Sequence, residues 1–216
     1  MSVRHVASNK AIQKEVRGGL FATALVAVAL TLALAGCGGG GGSGPSFDPG
    51  VETAALEALV GSFEQGIEEY SLSGMTDGLS AAFLLTLREG ALSYEKDLPT
   101  LRGELEADEE NQLYWRQQYG YRLDLRLSDL TFSAPSATSA SAACRFTVVE
   151  WAEETDPPVE QTITDQGAIS WQFAKTGSSW RIAAMTITFE APTLASARAA
   201  RPAPALPGNP FFRRSW

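Results

Sequence analysis

The sequence predicts an α+β domain in which N-terminal helices pack on a mainly antiparallel sheet. Three observations carry this. Apolar side chains recur at helical spacing over residues 56–70, the period changes to two from Tyr119 onward, and WQFAKTGSSWRI, residues 171–182, has the pattern of a β-hairpin. Residues 51–190 form one domain, and a chain of that length buries about two-thirds of its unfolded surface around a single core.

Leu56, Leu59, Val60, Phe63, Ile67 and Tyr70 line one face of the first helix, with Glu57, Glu64, Glu68 and Glu69 on the others. Ser71–Gly74 ends it. Thr76 or Asp77 is placed to cap a second helix through Leu79, Phe83, Leu84 and Leu87, and a short third helix is expected near Pro99. Glu104, Glu106, Asp108, Glu109 and Glu110 read as a solvated face or loop, because the run lacks the alternating ligands and glycine of a calcium loop.

In the first strand Tyr121, Leu123, Leu125 and Leu127 alternate with Arg122, Asp124 and Arg126. Leu130 and Phe132 then continue on the opposite parity, which predicts a bulge at Ser128-Asp129. A second strand runs through Ala142, Cys144, Phe146 and Val148, with Val149 and Trp151 on its other face. The prolines of EETDPPVEQ mark a loop, and strand resumes from Thr162. A four-residue turn over Lys175–Ser178 would set Phe173 opposite Trp180, Trp171 opposite Ile182 and Ile169 opposite Ala184. Met185, Ile187 and Phe189 complete the last strand. Residues 191–216, rich in Ala, Pro and Arg, are expected to form a disordered tail. The alternative is docking: Arg198, Arg201, Arg213 and Arg214 with Phe211, Phe212 and Trp216 suit anionic lipid, a partner, or the acidic body itself.

The N-terminus is organised differently. Arg4, Lys10, Lys14 and Arg17 face one acid, Glu15, and residues 20–35 carry no charge, the order of a secretory signal. The apolar stretch is shorter than the roughly 20 residues a spanning helix needs. It ends at Leu34-Ala35-Gly36-Cys37, followed by Gly38–Gly42, and this run resembles the processing site of bacterial lipoproteins. The resemblance implies removal of residues 1–36, lipid attachment at Cys37 and a membrane partner held through the acyl chains, which together anchor far more firmly than one chain does. With Gly38 after the cysteine it implies a cell-envelope location, at the outer membrane facing the periplasm if the cell is Gram-negative. Residues 37–50 then form a Gly-rich tether with a reach of roughly 20 Å.

From Cys37 onward the chain holds 13 basic and 24 acidic side chains, a net charge of −11, which argues against a nucleic-acid partner. Its one histidine is His5, inside the leader, so the remainder has no imidazole for a Ser-His or Cys-His nucleophile or a His-ligated zinc. No metal or other cofactor is expected. Cys144, in AACRFTVV, reads as a small buried hydrophobe.

Helices followed by long strands ending in W-x-F-x-K-x-G-x-x-W-R-I resemble the nuclear transport factor 2-like superfamily over residues 51–190. That resemblance implies a curved sheet wrapped round a long first helix, a cone with a pocket. It carries no catalytic residue over. Tyr70, Tyr94, Tyr121 and Trp171 are the candidates to line such a pocket, each with plain core packing as the simpler reading. Asp124, on the polar parity of its strand, should face away from the helices and is a poor catalytic base. The reading is a lipid-anchored envelope protein whose cone binds a small apolar ligand or an envelope protein without chemistry, with homodimerisation open. The alternative is a membrane-tethered isomerase, dehydratase or cyclase using Asp/Tyr chemistry, which requires a buried carboxyl of displaced pKa beside a tyrosine.

Overall fold

A computed structural model describes residues 47–156, 158–190 and 206–213. Cys37, the leader and residues 38–46 of the glycine tether lie outside the described residues, as do Arg198, Arg201, Arg214 and Trp216. The last two tether residues, Pro49 and Gly50, are not linker but the start of the first helix. No helix among the described residues is long and apolar enough to cross a membrane.

Helix α1 (Pro49–Glu69) starts where Asp48 accepts hydrogen bonds from the Gly50 and Val51 amides, with Pro49 in the first turn, where a missing N–H costs nothing. It ends at Tyr70, in the left-handed region at φ 52°. Leu56, Val60, Phe63 and Ile67 are its buried stripe. One turn later comes the short helix α2 (Leu72–Thr76), capped by Ser71. A Cβ on Gly66 would lie 2.5 Å from the Gly74 carbonyl carbon, so glycine at 66 lets α2 lie directly on α1.

Strands β1 (Leu79–Glu89) and β2 (Leu92–Asp97) form a hairpin, where the sequence reading placed a second helix. Leu79, Phe83, Leu84 and Leu87 fit a helical stripe, but Phe83, Leu85 and Leu87 fit a strand equally well, and all three of the latter are buried while Leu84 is exposed. Parallel pairing with the last strand decides between the two periods. Helix α3 (Leu98–Tyr119) is the third helix, but it is long: Asp97 caps it, Pro99 sits in its first turn, and Gly120 ends it at φ 58°. The acidic run is therefore helical, and Asp108 within it is buried.

The remaining strands are β3 (Arg122–Phe132), β4 (Ser139–Ala152), β5 (Val159–Thr176) and β6 (Ser179–Phe189). Pairing gives one curved six-stranded sheet of order β2-β1-β6-β5-β4-β3, antiparallel except for β1 beside β6. The β3 register breaks between Ser128 and Thr131, with Asp129 at φ 54°, at the predicted bulge. The β5–β6 turn is tighter than predicted. Thr176 pairs with Ser179 across Gly177-Ser178, so Phe173 faces Ile182, Trp171 faces Met185 and Ile169 faces Ile187. Gly177, at φ 63°, makes a two-residue turn accessible. The shift is two residues at Phe173 and three at Trp171 and Ile169, because the register slips between Gln172 and Phe173. The three β5 side chains stay on their predicted face, whereas on β6 the buried parity passes from Ile182 to Met185 and not to Ala184.

Helix α1 packs on β3 and β6 and α3 on β1 and β2, so both helices cover one face of the sheet. Glu52 ties the start of α1 to the last hairpin by accepting from Lys175 Nζ at 2.5 Å and Trp180 Nε1 at 2.6 Å, and these two donors, Lys175 first, hold its carboxyl below the usual range. Cys144 is a buried free thiol that accepts from Trp171 Nε1 at 3.4 Å. Burial raises its pKa.

The C-terminal segment departs from expectation. Instead of trailing as a disordered tail, residues 206–213 return to the domain and bury Phe211 and Phe212 in the core. Two adjacent aromatic side chains outweigh the Ala/Pro/Arg composition that argues for disorder, since each buries a large apolar area.

Candidate functional site

The interior between α1, α3 and the sheet holds two polar centres. The first starts from β3 and β4. Tyr121, just before β3, and Glu150, on the core parity of β4 beyond Phe146 and Val148, lie side by side, and Tyr121 Oη donates to Glu150 Oε1 at 2.6 Å. Both are at least 96 % buried. Burial pushes the Glu150 carboxyl above its usual range, and the bonds from Tyr121 and Thr164 only partly oppose this. Burial, then the nearby carboxylate, pushes the Tyr121 hydroxyl well up, so it stays a donor. The Arg116 guanidinium lies 5.8 Å from the Tyr121 ring centroid and donates to the Glu68 carbonyl at 2.8 Å.

The second centre is Lys96, on β2. Its ammonium is fully buried and has three acceptors: Glu104 Oε2 at 2.6 Å, the Pro210 carbonyl at 3.0 Å and the Arg213 carbonyl at 3.3 Å. All three N–H bonds are thereby used. Asp108 accepts from Tyr70 Oη at 3.4 Å and Gln112 Nε2 at 2.9 Å, and pairs with Arg213 Nη2 at 3.2 Å. Gln112 also donates to the Gly208 carbonyl. Phe211 meets Phe63 of α1 edge-on at 4.9 Å, and Phe212 stacks on Phe146 of β4 at 5.5 Å.

Beside Glu150 is a cavity of about 220 Å³, lined by Val148, Glu150 and Asp165 of the sheet and by the C-terminal segment, including Phe212 and Arg213. None of the four predicted pocket residues lines it. Trp171 is fully buried, edge-on to Phe63 at 5.2 Å and parallel to Phe173 at 6.3 Å. Tyr70 is buried and donates to the Leu105 carbonyl at 3.1 Å. Burial, then Asp108, raises its pKa. Tyr94 is half-buried, with the Lys96 ammonium 5.7 Å from its ring centroid. Tyr121 reaches a cavity-lining residue, Glu150, through its hydroxyl.

Asp124 does not simply face away from the helices. It pairs with Arg126 at 2.7 Å and also meets Glu68 of α1, whose carboxyl is raised by burial first and by Asp124 second. The β3 edge lies against α1, so its polar parity is not all solvent. The centres that the sequence reading missed carried a signal: Glu150 and Lys96 fall on the core parity of their strands, where a charge must find a partner. Among the described residues no cluster of His, Cys, Asp and Glu could hold a metal ion.

No family model and no curated sequence matches the chain. Solved structures do. A nuclear transport factor 2-like protein with a cystatin-like fold from Novosphingobium aromaticivorans superposes with a TM-score of 0.51 at 11 % identity, covering 68 % of this chain and 88 % of that one. A cystatin-like protein of unknown function from Nostoc punctiforme gives 0.46 at 14 % identity, with 67 % and 94 % covered. The β subunit of benzoate 1,2-dioxygenase from Burkholderia mallei gives 0.46 at 10 % identity, with 63 % and 89 % covered. The helices on one face of a curved six-stranded sheet, and this likeness, make the chain a nuclear transport factor 2-like, cystatin-like cone in fold.

Proposed function

We propose that this chain is a lipid-anchored protein of the bacterial cell envelope whose cone binds a small apolar ligand or a protein partner without catalysis. One observation carries the reading: Phe211 and Phe212 of the chain's own C-terminal segment fill the interior. The cavity beside that segment, about 220 Å³, is smaller than the roughly 300–1,000 Å³ of small-molecule sites, which favours the protein partner over the small ligand. The leader, the Leu34-Ala35-Gly36-Cys37 run and the lack of histidine after residue 36 support the same reading.

The second reading, an isomerase, dehydratase or cyclase, draws on the Tyr121–Glu150 pair, which supplies a buried carboxyl of raised pKa beside a hydroxyl donor. What weighs against it is access, because Phe212 and Arg213 line the space a substrate would need. Two measurements test the proposal. Labelled palmitate should enter the wild type and not Cys37→Ala; equal labelling of both removes the anchor. A defined small-molecule substrate turned over by the purified domain, with the activity abolished by Glu150→Gln or Tyr121→Phe, would overturn the non-catalytic reading.

A further inference from the structure

We infer that the cone is a peptide-binding site, that residues 206–213 are its resident occupant in cis, and that it accepts in trans a segment of another polypeptide with two consecutive aromatic side chains followed by a base. This rests on the non-catalytic reading above and names its partner.

The segment is held as a ligand is held. Its shape is self-made: Asn209 Oδ1 accepts from the Phe211 amide at 3.0 Å, and the Asn209 carbonyl accepts from the Phe212 and Arg213 amides at 2.9 and 3.1 Å. Such an Asx-type turn forms from local groups and is available to the same sequence on any chain. The body then reads the turn with side chains. Lys96 takes two main-chain carbonyls three residues apart, Gln112 takes the Gly208 carbonyl, and Asp108 takes the Arg213 guanidinium. Two apolar seats, against Phe63 and Phe146, receive the rings.

Lys96 sets the chemistry of any other occupant. A buried ammonium left with one acceptor of three pays a desolvation cost, so whatever replaces the segment must bring two oxygen acceptors at the same spacing. Two carbonyls on one turn, with two aromatic side chains between them and a cation on the residue of the second, describe a polypeptide. A purely apolar ligand fills the two seats and leaves Lys96 unsatisfied. The resident segment belongs to the same chain as β6, and covalent connection gives it an advantage over any separate segment of equal affinity. A competing segment succeeds only where it binds better or the resident is released.

The test keeps the whole chain. A site-specific protease sequence is inserted between Ala199 and Ala200, the protein is folded and then cut, and fluorescein-labelled peptide Leu206–Arg213 is titrated into cut and uncut samples. Cutting removes the tether advantage, so the cut protein should bind the label at least about 10-fold more tightly than the uncut one while its near-ultraviolet circular dichroism is retained. A peptide with alanine at positions 211 and 212 should not bind. A cut protein that keeps its own segment and takes up no label, or one that loses the segment and unfolds, would show that residues 206–213 are permanent core and overturn the inference. Either failure leaves the non-catalytic reading standing, since only turnover of a substrate removes that.

Discussion

The two buried polar centres of the cone are satisfied in opposite ways. Tyr121, at the entrance to β3, and Glu150 of β4 stand 29 residues apart, and the β3–β4 ladder that starts beside them brings them together. Lys96 finds one acceptor 8 residues away in α3 and two others 114 and 117 residues away in the C-terminal segment. The first centre belongs to the sheet. The second exists only while a remote segment is docked, so substitutions that loosen the segment should reach Lys96 and spare Tyr121–Glu150.

Phe211→Ala breaks the comparison most severely. It empties a fully buried seat against Phe63, and large-to-small changes at such sites cost about 3–5 kcal/mol. Urea unfolding should give that loss. A loss under about 1 kcal/mol would mean that the seat collapses or that the ring contributes little.

Lys96→Met comes next and addresses the polar half. The stem is replaced by a similar apolar volume, while Glu104 and the Pro210 and Arg213 carbonyls lose their donor, an expected cost of about 1–3 kcal/mol. Amide exchange sharpens the result: protection should fall at Phe211 to Arg213 and stay unchanged in β3 and β4. A uniform fall across the domain would place Lys96 in the general core and not at the segment's mooring.

The same contrast explains what could be read from the sequence. Strands β3 to β6 were legible because their alternation is local and its period is unmistakable, and even the misjudged turn preserved the faces of Phe173 and Trp171. Strand β1 was not, because Phe83 and Leu87 suit both periods, Leu84 completing a helical stripe and Leu85 a strand face, and only the parallel partner β6 selects one. The site was less legible than the fold. Glu150 follows Val148 on a buried parity and Lys96 follows Tyr94, but neither position reveals its partner. Tyr121 reads from the sequence as a pocket wall or plain core, and neither reading anticipates that its hydroxyl donates to Glu150. For Lys96 the partners are main-chain carbonyls of a segment whose composition argues for disorder, and no local pattern encodes that contact.

The pH dependence of stability separates the centres without touching the segment. The folded state holds the Glu150 pKa above the unfolded value near 4.5, so between those two values the native protein binds the extra proton. Stability should therefore fall as pH rises through a window that opens at about 4.5, and Glu64 and Glu68, raised by burial, act in the same direction. Glu52 and Asp97 have lowered values and act the opposite way, losing their contribution as pH falls through the more acidic range. Glu150→Gln should flatten the decline seen in urea midpoints above pH 4.5, and Tyr121→Phe, which removes a donor to the carboxylate, should steepen it. An unaltered slope in both variants would mean that Glu150 is not the group being titrated.

Arg213→Ala is the mildest way to sharpen the comparison. The guanidinium is 43 % exposed, and Asp108 keeps Tyr70, Asn111 and Gln112 as donors when it leaves, so the carboxylate is not stranded. With the guanidinium end open to water and Asp108 still hydrogen-bonded, the loss should be on the order of 1 kcal/mol, and the effect should shrink as salt screens it. The Arg213 carbonyl that Lys96 uses belongs to the main chain and survives the substitution. Lys96 and both phenylalanines should therefore stay in place, and thermal unfolding at low and high ionic strength should show a small loss that salt removes. A loss as large as that of Phe211→Ala would instead make the Asp108–Arg213 pair, and not the aromatic seats, the anchor of the segment.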